Sequence, residues 1–300
     1  MKHFGIMLFA LLLLSGCGRS ADELKIISFN IRYNSWYDRE SPNRWELRRD
    51  AVVRMIREEQ PAAMGLQEAL IDQLQYLDSC LPQYRRVGVG RDDGMEAGEF
   101  MAIYYDTARL ELLFDTTRWL SLTPEVPSKY EGAGCFRTVT VARFRVRQSG
   151  KEFAYLNTHL DHVSEDARMR GAQVIAYTVA TELNKTKTGG IPVIVGGDMN
   201  TEGDSSEYSA FAYFRRVGLQ DARTLTDSTS NAITYNAFGQ NEGAVIDHFF
   251  VRDIKVLRFR TLNGDYFSEE QNTTENENNE LKNGVPYISD HYPIAVTIKL

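Results

Sequence analysis

Cysteine is scarce: the 300-residue chain has three, at positions 17, 80 and 135. Cys80 and Cys135 are too few and too far apart for a disulfide framework, so two free buried thiols are expected. The 8 prolines form no linker, and no Ser-rich stretch occurs, so nothing divides the chain into separate bodies. No unit recurs at solenoid or propeller periods. No run of lysine and arginine appears, and the formal net charge is −7. That balance excludes a high-affinity nucleic-acid coat, which needs a basic face. It leaves nucleases open, because a metal neutralises phosphate locally. Neither Gly-x-Ser-x-Gly nor a P-loop occurs, so no serine nucleophile or nucleotide cradle of those types is signalled. The longest apolar run, Phe4 to Leu14, falls short of the roughly 20 residues that a helix needs to span a bilayer.

That run does fit the h-region of an export signal, since Lys2 and His3 precede it and Leu14-Ser15-Gly16-Cys17 follows. Small residues before a cysteine resemble the bacterial lipobox, where cleavage precedes the cysteine and lipid is attached to it. Residues 1–16 are therefore expected to be a lipoprotein signal peptide, and residues 17–23 a polar tether. Cys17 is the expected membrane anchor, on the periplasmic or cell-surface side of the envelope. Residues 24–300 are rich enough in apolar and aromatic side chains for one globular domain, expected as a monomer.

Short strands interleave with a few helices. Leu24–Asn30, Ala63–Glu68, Glu99–Tyr105, Arg137–Val146, Glu152–Asn157, Val245–Val251, Ile254–Thr261 and Pro293–Leu300 read as strands, as does the β-branched run from Ile191. Helices are predicted from Arg44 to about Glu59 behind an Asn43 cap, after Leu70, from Ser164 to about Leu183, and from Ser205 to Val217. Residues 268–284, acidic and Asn-rich, read as a solvated mobile loop. Strands along the whole chain with helices in its first two thirds predict two packed sheets with helices outside.

Six short polar signatures each close an apolar strand. They are Ser28-Phe29-Asn30, Leu66-Gln67-Glu68, Asn157-Thr158-His159, Gly197-Asp198-Met199-Asn200, Ile246-Asp247-His248 and Ser289-Asp290-His291. Each alone has an ordinary explanation: a capping Asn30, a solvent-facing Glu68, a core His159, Asp247 paired with Arg252, Asp290 in a turn. Six in succession, all bearing metal-ligating or proton-transfer groups, indicate one site at the rim of a sheet. In this order the set resembles the endonuclease/exonuclease/phosphatase superfamily, which includes DNase I-like nucleases, abasic-site endonucleases, deadenylases, inositol polyphosphate phosphatases and bacterial sphingomyelinases. The resemblance runs from Asn30 to His291, and Gly-Asp-Met-Asn and Ser-Asp-His-Tyr-Pro are its most specific parts.

The resemblance implies an α/β (α+β) four-layer sandwich, with two central mixed β-sheets flanked by helices, and a Mg²⁺-dependent phosphoesterase site, Mn²⁺ being a substitute. Glu68, with Asn30 and Asp290, matches the metal site, and hard oxygen ligands suit Mg²⁺. Asp198 matches the aspartate that orients or deprotonates the attacking water, or handles the leaving group. His291 matches the essential histidine at the scissile phosphate, and Asp247 the acid behind it. His159 matches a second histidine, with Glu99 where its partner stands in DNase I-like enzymes. Asn200 and Arg137 match phosphate contacts, and Asn157 is placed with them. The abasic-site branch uses another residue type at His159 and fits less well.

The expected activity is metal-dependent hydrolysis of a phosphomono- or phosphodiester by in-line attack of water. The alternatives are a DNase I-like nuclease and a non-catalytic binder of phosphorylated ligands. The acidic charge tilts the substrate toward a phosphorylated small molecule or lipid headgroup rather than nucleic acid. The segment from Trp119 to Lys129 reads as a loop near the site, His162 as a surface residue leading a helix, and His248 as facing away from the site.

Overall fold

The computed structural model describes residues 22–181, 183, 190–203, 206–229, 232–240, 242–264, 266 and 287–300. The expected signal peptide, Cys17, most of the tether and the loop at 268–284 lie outside the described residues. The chain opens with β1 (Glu23–Asn30), α1 (Trp45–Glu59), β2 (Ala63–Ala69), α2 (Ile71–Cys80), β3 (Tyr84–Val87) and β4 (Phe100–Asp106). Its middle holds β5 (Leu110–Trp119), β6 (Thr138–Val146), β7 (Glu152–His159), α3 (Glu165–Thr181), β8 (Val193–Asp198) and α4 (Ala210–Arg216). β9 (Gln220–Asp221), β10 (Asp247–Arg252), β11 (Lys255–Thr261) and β12 (Ile294–Lys299) complete it. Among the described residues no helix is long and apolar enough to cross a membrane.

The strands form two six-stranded sheets, β11-β12-β1-β2-β4-β3 and β5-β6-β7-β8-β10-β9. Each is antiparallel except for one central pair. β1 and β2 run parallel and are joined through α1; β7 and β8 run parallel and are joined through α3. A parallel pair needs such a crossover, and it brings the two C-terminal strand ends to the same rim. Alternation then sorts the side chains. Ile26, Ile103, Phe144, Phe153, Ile194 and Phe249 pack between the sheets. Ile27, Phe29 and Leu66 face α1 and α2 on one outer side, and Val141, Leu156 and Val195 face α3 on the other. The result is helices, sheet, sheet, helices, the four layers expected.

Between the sheets the apolar core gives way to a polar layer as the strands approach the rim. Gln67 Nε2 donates to Ser28 Oγ at 3.1 Å and to Asn157 Oδ1 at 2.6 Å. Asn157 Nδ2 donates to the carbonyls of Leu66 and Ala102, both at 2.9 Å. Tyr155 Oη donates across the interface to the Ile27 carbonyl at 3.0 Å. Gly65 makes this approach possible, because a Cβ there would stand 2.4 Å from Tyr155 Oη and 2.6 Å from Asn157 Cγ. Asn157, expected as a phosphate contact, is therefore a cross-link between the sheets: it is fully buried, and both ends of its amide are engaged inside the core.

Several boundaries differ from the sequence reading. β3, β5 and the two-residue β9 were not signalled. β5 is an edge strand whose register shifts between Leu112 and Phe114, and that break removes the period-two pattern. The helix expected from Ser205 is the shorter α4. Asn43 does not cap α1, whose N-cap is Arg44 with no side-chain bond. The Asn43 carbonyl instead accepts from Arg48 Nε at 2.5 Å. Arg48, fully buried, also donates to the carbonyls of Ile31 at 2.9 Å and Ile288 at 2.7 Å. It thereby ties the exit of β1 to the segment carrying Ser289, Asp290 and His291. Cys80 and Cys135 are both free, as expected, but only half-buried.

Asn157→Ala removes a buried amide with its hydrogen bonds to Gln67 and to the Leu66 and Ala102 carbonyls. It is expected to lower the unfolding free energy by about 2 kcal/mol, read from the denaturant midpoint. An unchanged midpoint would argue against the cross-link.

Candidate active site

The two parallel pairs end side by side. Asn30 closes β1 and Glu68 lies near the end of β2, while His159 and Asp198 close β7 and β8. His159, Asp198 and Asp247 fall on one rung of the second sheet, since His159 pairs with Asp198 and Asp198 with Asp247. Their side chains share the face turned to the other sheet. Strict alternation would point Glu68 to the helix side with Leu66. It is redirected by a register break between Leu66 and Ala69 and a left-handed backbone at φ 63°. A non-glycine residue in that region carries a conformational cost and marks functional sites.

Asn30 joins the two halves. Its Nδ2 donates to Glu68 Oε1 at 3.0 Å and to Asp198 Oδ2 at 3.1 Å. Its Oδ1 accepts from the Arg32 backbone N–H at 3.0 Å, which fixes the amide orientation. Glu68 Oε2 accepts from the Tyr33 N–H at 3.2 Å. Asp198 Oδ1 accepts from the Asn200 N–H at 2.9 Å, and its Oδ2 lies 3.3 Å from His159 Nε2 and 3.7 Å from His291 Nε2. Asn200 Nδ2 stands 2.9 Å from His159 Nε2 and also donates to the Leu160 carbonyl.

His291 Nδ1 stands 2.8 Å from Asp247 Oδ2. The Asp247 backbone N–H donates to Thr234 Oγ1 at 3.0 Å. The Asp290 carbonyl accepts from the N–H groups of Asn236 and Ala237, so the signature around His291 is fixed from both sides. Burial alone would lower the His291 pKa. The carboxylates of Asp247 and Asp198, with the bond to Asp247, outweigh burial and raise it from 6.5 to about 10. His291 is thus an imidazolium at neutral pH. His159 goes the other way: burial, then the charges of Arg137 and Arg91, lower it well below its ordinary value. Burial pushes Asp198 up to about 7, against the pull of His291. One cationic and one neutral histidine therefore flank a carboxyl poised near neutrality.

Asp198, Asp247 and His291 each offer a ligand atom within 4.8 Å of one another, and so do Cys135, Asp161 and His162. In the first group the imidazolium already acts as the cation. In the second, Asp161 accepts from the N–H groups of Gly134, Val163 and Ser164, and Arg137 supplies the charge, with Nε 3.8 Å from Asp161 Oδ2. The oxygen-only set fits a hard cation better. Glu68 and Asp290 both line the cleft. Burial raises the Asp290 carboxyl, and the Glu68 charge adds to this against His291 and Arg32. Arg32 Nη1 comes no closer to Asp290 than 3.7 Å. Two carboxylates that repel one another form a donor set that a divalent ion would relieve.

The cleft has a volume of about 540 Å³ and brings together Glu68, Glu99, Arg137, His159, Asp198, Asn200, Asp290 and His291. Asp247 sits behind His291, and Asn157 lies in the core. Glu99 does reach the cleft, but its partner is Arg91, whose Nη1 donates to Oε2 at 2.6 Å. Among the described residues His159 Nδ1 has no hydrogen-bond partner, so the expected Glu99–His159 pair is not formed. The sequence reading missed Arg32, Tyr33, Arg91 and Tyr235, all of which line the cleft. None belongs to a strand-end signature, and only the fold brings their loops to the rim. His162 differs from the surface residue its position before a helix predicts. It is exposed but turned to the cleft, with Nδ1 2.9 Å from Arg137 Nη2. His248 packs away from the site against Phe211, as expected.

A family model described as "Endonuclease/Exonuclease/phosphatase family" matches residues 27–291. Among solved structures, the chain is similar to the mannosyl-6-phosphatase of Bacteroides thetaiotaomicron, with 30% identity, TM-score 0.81, and coverage of 92% of this chain and 100% of that one. It is also similar to an endonuclease/exonuclease/phosphatase from Bacteroides vulgatus, with 30% identity, TM-score 0.78, and coverage of 93% and 99%. An uncharacterised protein of Acanthamoeba polyphaga mimivirus is 24% identical over 245 residues, 77% of this chain and 88% of that protein.

The raised His291 pKa stabilises the fold fully below 6.5, and this contribution is lost as pH rises through about 10. Asp247→Asn removes the nearest carboxylate. By NMR, the His291 ring should stay protonated through neutral pH in the wild type and titrate at a lower pH in the variant. The same midpoint in both would refute the pairing.

Proposed function

The chain belongs to the endonuclease/exonuclease/phosphatase family, whose members are hydrolases acting on phosphate esters and generally depend on divalent metals, and from that premise we propose that it is a Mg²⁺-dependent phosphomonoesterase acting on small phosphorylated sugars. The carrying observation is the set of contacts linking Asp247 to His291, and His291 and Asn30 to Asp198. A non-catalytic binder has no need of a carboxyl poised near neutrality beside a buried imidazolium.

Glu68 and Asp290 would hold the ion; Asn30, matched to the metal site by its sequence, turns its Nδ2 rather than its oxygen to Glu68 and so orients that carboxylate instead of ligating. When bound, Mg²⁺ supplies positive charge to the ester oxygens. Asp198 orients a water in line with the ester bond and takes its proton at Oδ2. The bond from that water to phosphorus forms as the bond to the sugar oxygen breaks, and that oxygen is protonated from cleft water. His291, kept cationic by Asp247, donates from Nε2 to a non-bridging oxygen, where charge builds. Asn200 and neutral His159 flank the same phosphoryl group, and Arg137 binds its outer oxygens.

Three observations support a small monoester. The cleft is of small-molecule size at about 540 Å³. No Lys/Arg run provides a nucleic-acid track. The Bacteroides thetaiotaomicron relative is by its name a mannosyl-6-phosphatase. A lipid on Cys17 would join the fold through residues 17–23, at the start of β1. From there β1 runs 8 residues toward the cleft, about 25 Å. The anchor and the cleft would thus occupy opposite ends of the strand, which supports a soluble substrate over a bilayer headgroup.

The test is hydrolysis of a mannose 6-phosphate-type monoester, a chromogenic phosphodiester, DNA and sphingomyelin, each with Mg²⁺ and with chelator. Monoester turnover should dominate, stop with chelator, and fall by about 10²–10⁴ in His291→Ala. Preference for DNA would move the chain to the nuclease reading. Turnover that survives both chelator and His291→Ala would refute the site.

A further inference from the structure

One wall of the cleft holds guanidinium nitrogens that make no hydrogen bond among the described residues. Arg137 is only 6% exposed. Its Nη2 meets His162 Nδ1 at 2.9 Å, yet Nε, 3.8 Å from Asp161 Oδ2, and Nη1 are buried without a hydrogen bond among the described residues. Arg91 repeats the pattern: Nη1 is spent on Glu99, and Nε, 3.9 Å from the Asp92 carboxylate, is buried without a hydrogen bond. Both guanidinium groups act on His159, Glu99 and Cys135, so they stand around the same part of the cleft.

This arrangement is built rather than incidental. The Arg91 N–H donates to the Glu99 carbonyl at 3.1 Å, and the Arg91 carbonyl accepts from Trp119 Nε1 at 2.7 Å. The preceding Gly90 admits no side chain, since a Cβ would lie 2.3 Å from the Ala97 carbonyl oxygen. The loop is thus held in one shape, with Arg91 directed into the cleft by its ion pair to Glu99. Leaving a buried charged donor without a hydrogen bond costs free energy. A ligand bringing oxygens to that wall recovers it.

We propose that Arg91, together with Arg137, forms a wall that selects phosphomonoesters over phosphodiesters. This rests on the phosphomonoesterase reading and adds to it a residue and a reason for the preference. A monoester carries three non-bridging oxygens and a charge near −2 at neutral pH; a diester carries two and −1. The acidic side of the cleft, at Glu68 and Asp290, faces part of the phosphoryl group. The third oxygen and the second charge require further cationic donors at the cleft wall, which Arg91 and Arg137 line. A diester would press its second ester carbon against the same donors and leave them unpaired.

The test compares kcat/KM for a chromogenic phosphomonoester and its diester counterpart, with inorganic phosphate as competitive inhibitor. The variants are Arg91→Met, Arg91→Lys and Arg91→Met/Glu99→Gln, the last removing the carboxylate that Arg91→Met would orphan. The monoester-to-diester ratio should fall at least tenfold in both Met variants and recover in part with Lys, and the inhibition constant of phosphate should rise in parallel. A ratio that stays constant, or an equal loss on both substrates with no recovery by Lys, overturns the proposal while a monoesterase wild type still stands. A wild type that cleaves the diester and not the monoester overturns both readings.

Discussion

A single amide holds the two halves of the site together. Asn30 Nδ2 has two hydrogens; one goes to Glu68, on its own sheet, and the other to Asp198, on the opposite sheet. The arrangement requires the C-terminal ends of β1 and β8 to meet, and hence both parallel pairs to reach one rim. The crossover helices α1 and α3 create those pairs, and the polar layer of Gln67, Asn157 and Tyr155 locks the sheets at the required spacing. Arg48 adds the third tie, from the exit of β1 to the segment before His291.

The buried charge that results is balanced locally. Asp247 and His291 form one ion pair, Asp290 meets Arg32, and Glu99 meets Arg91. Glu68 and Asp290 still repel, and Arg91 and Arg137 retain unpaired donors. Both imbalances lie in the cleft, one suited to a cation and the other to an anion. A phosphate ester with its metal supplies both. Stability is thus withheld at the positions where ligand binding restores it.

Much of this was legible in the sequence because strand ends are local features. An apolar run closed by Gly-Gly-Asp-Met-Asn, or by an Asn, His or Asp, marks the place where a buried strand meets solvent. Alternation then fixes the shared face of Asp198 and Asp247. Two packed sheets with helices outside followed from strands spread along the chain with helices between them, and the four-layer order from the family resemblance. What was not legible depends on contacts between distant segments. The turn of Glu68 comes from a register break. The Arg91–Glu99 pair comes from a loop folded back under Trp119. Asn157 has the same residue type and spacing as a site residue, and only its depth between the sheets makes it a cross-link. The edge strand β5 has a bulge that erases its pattern.

The most direct test of the account is whether Glu68 and the metal act as one unit. Monoester hydrolysis would be measured for wild type and Glu68→Gln, each with Mg²⁺ and with chelator. If Glu68 holds the ion, wild type in chelator and Glu68→Gln in Mg²⁺ fall to a common floor, and chelator lowers the variant no further. If chelator reduces the variant by the same factor as the wild type, the ion binds elsewhere and the site described here is not the metal centre.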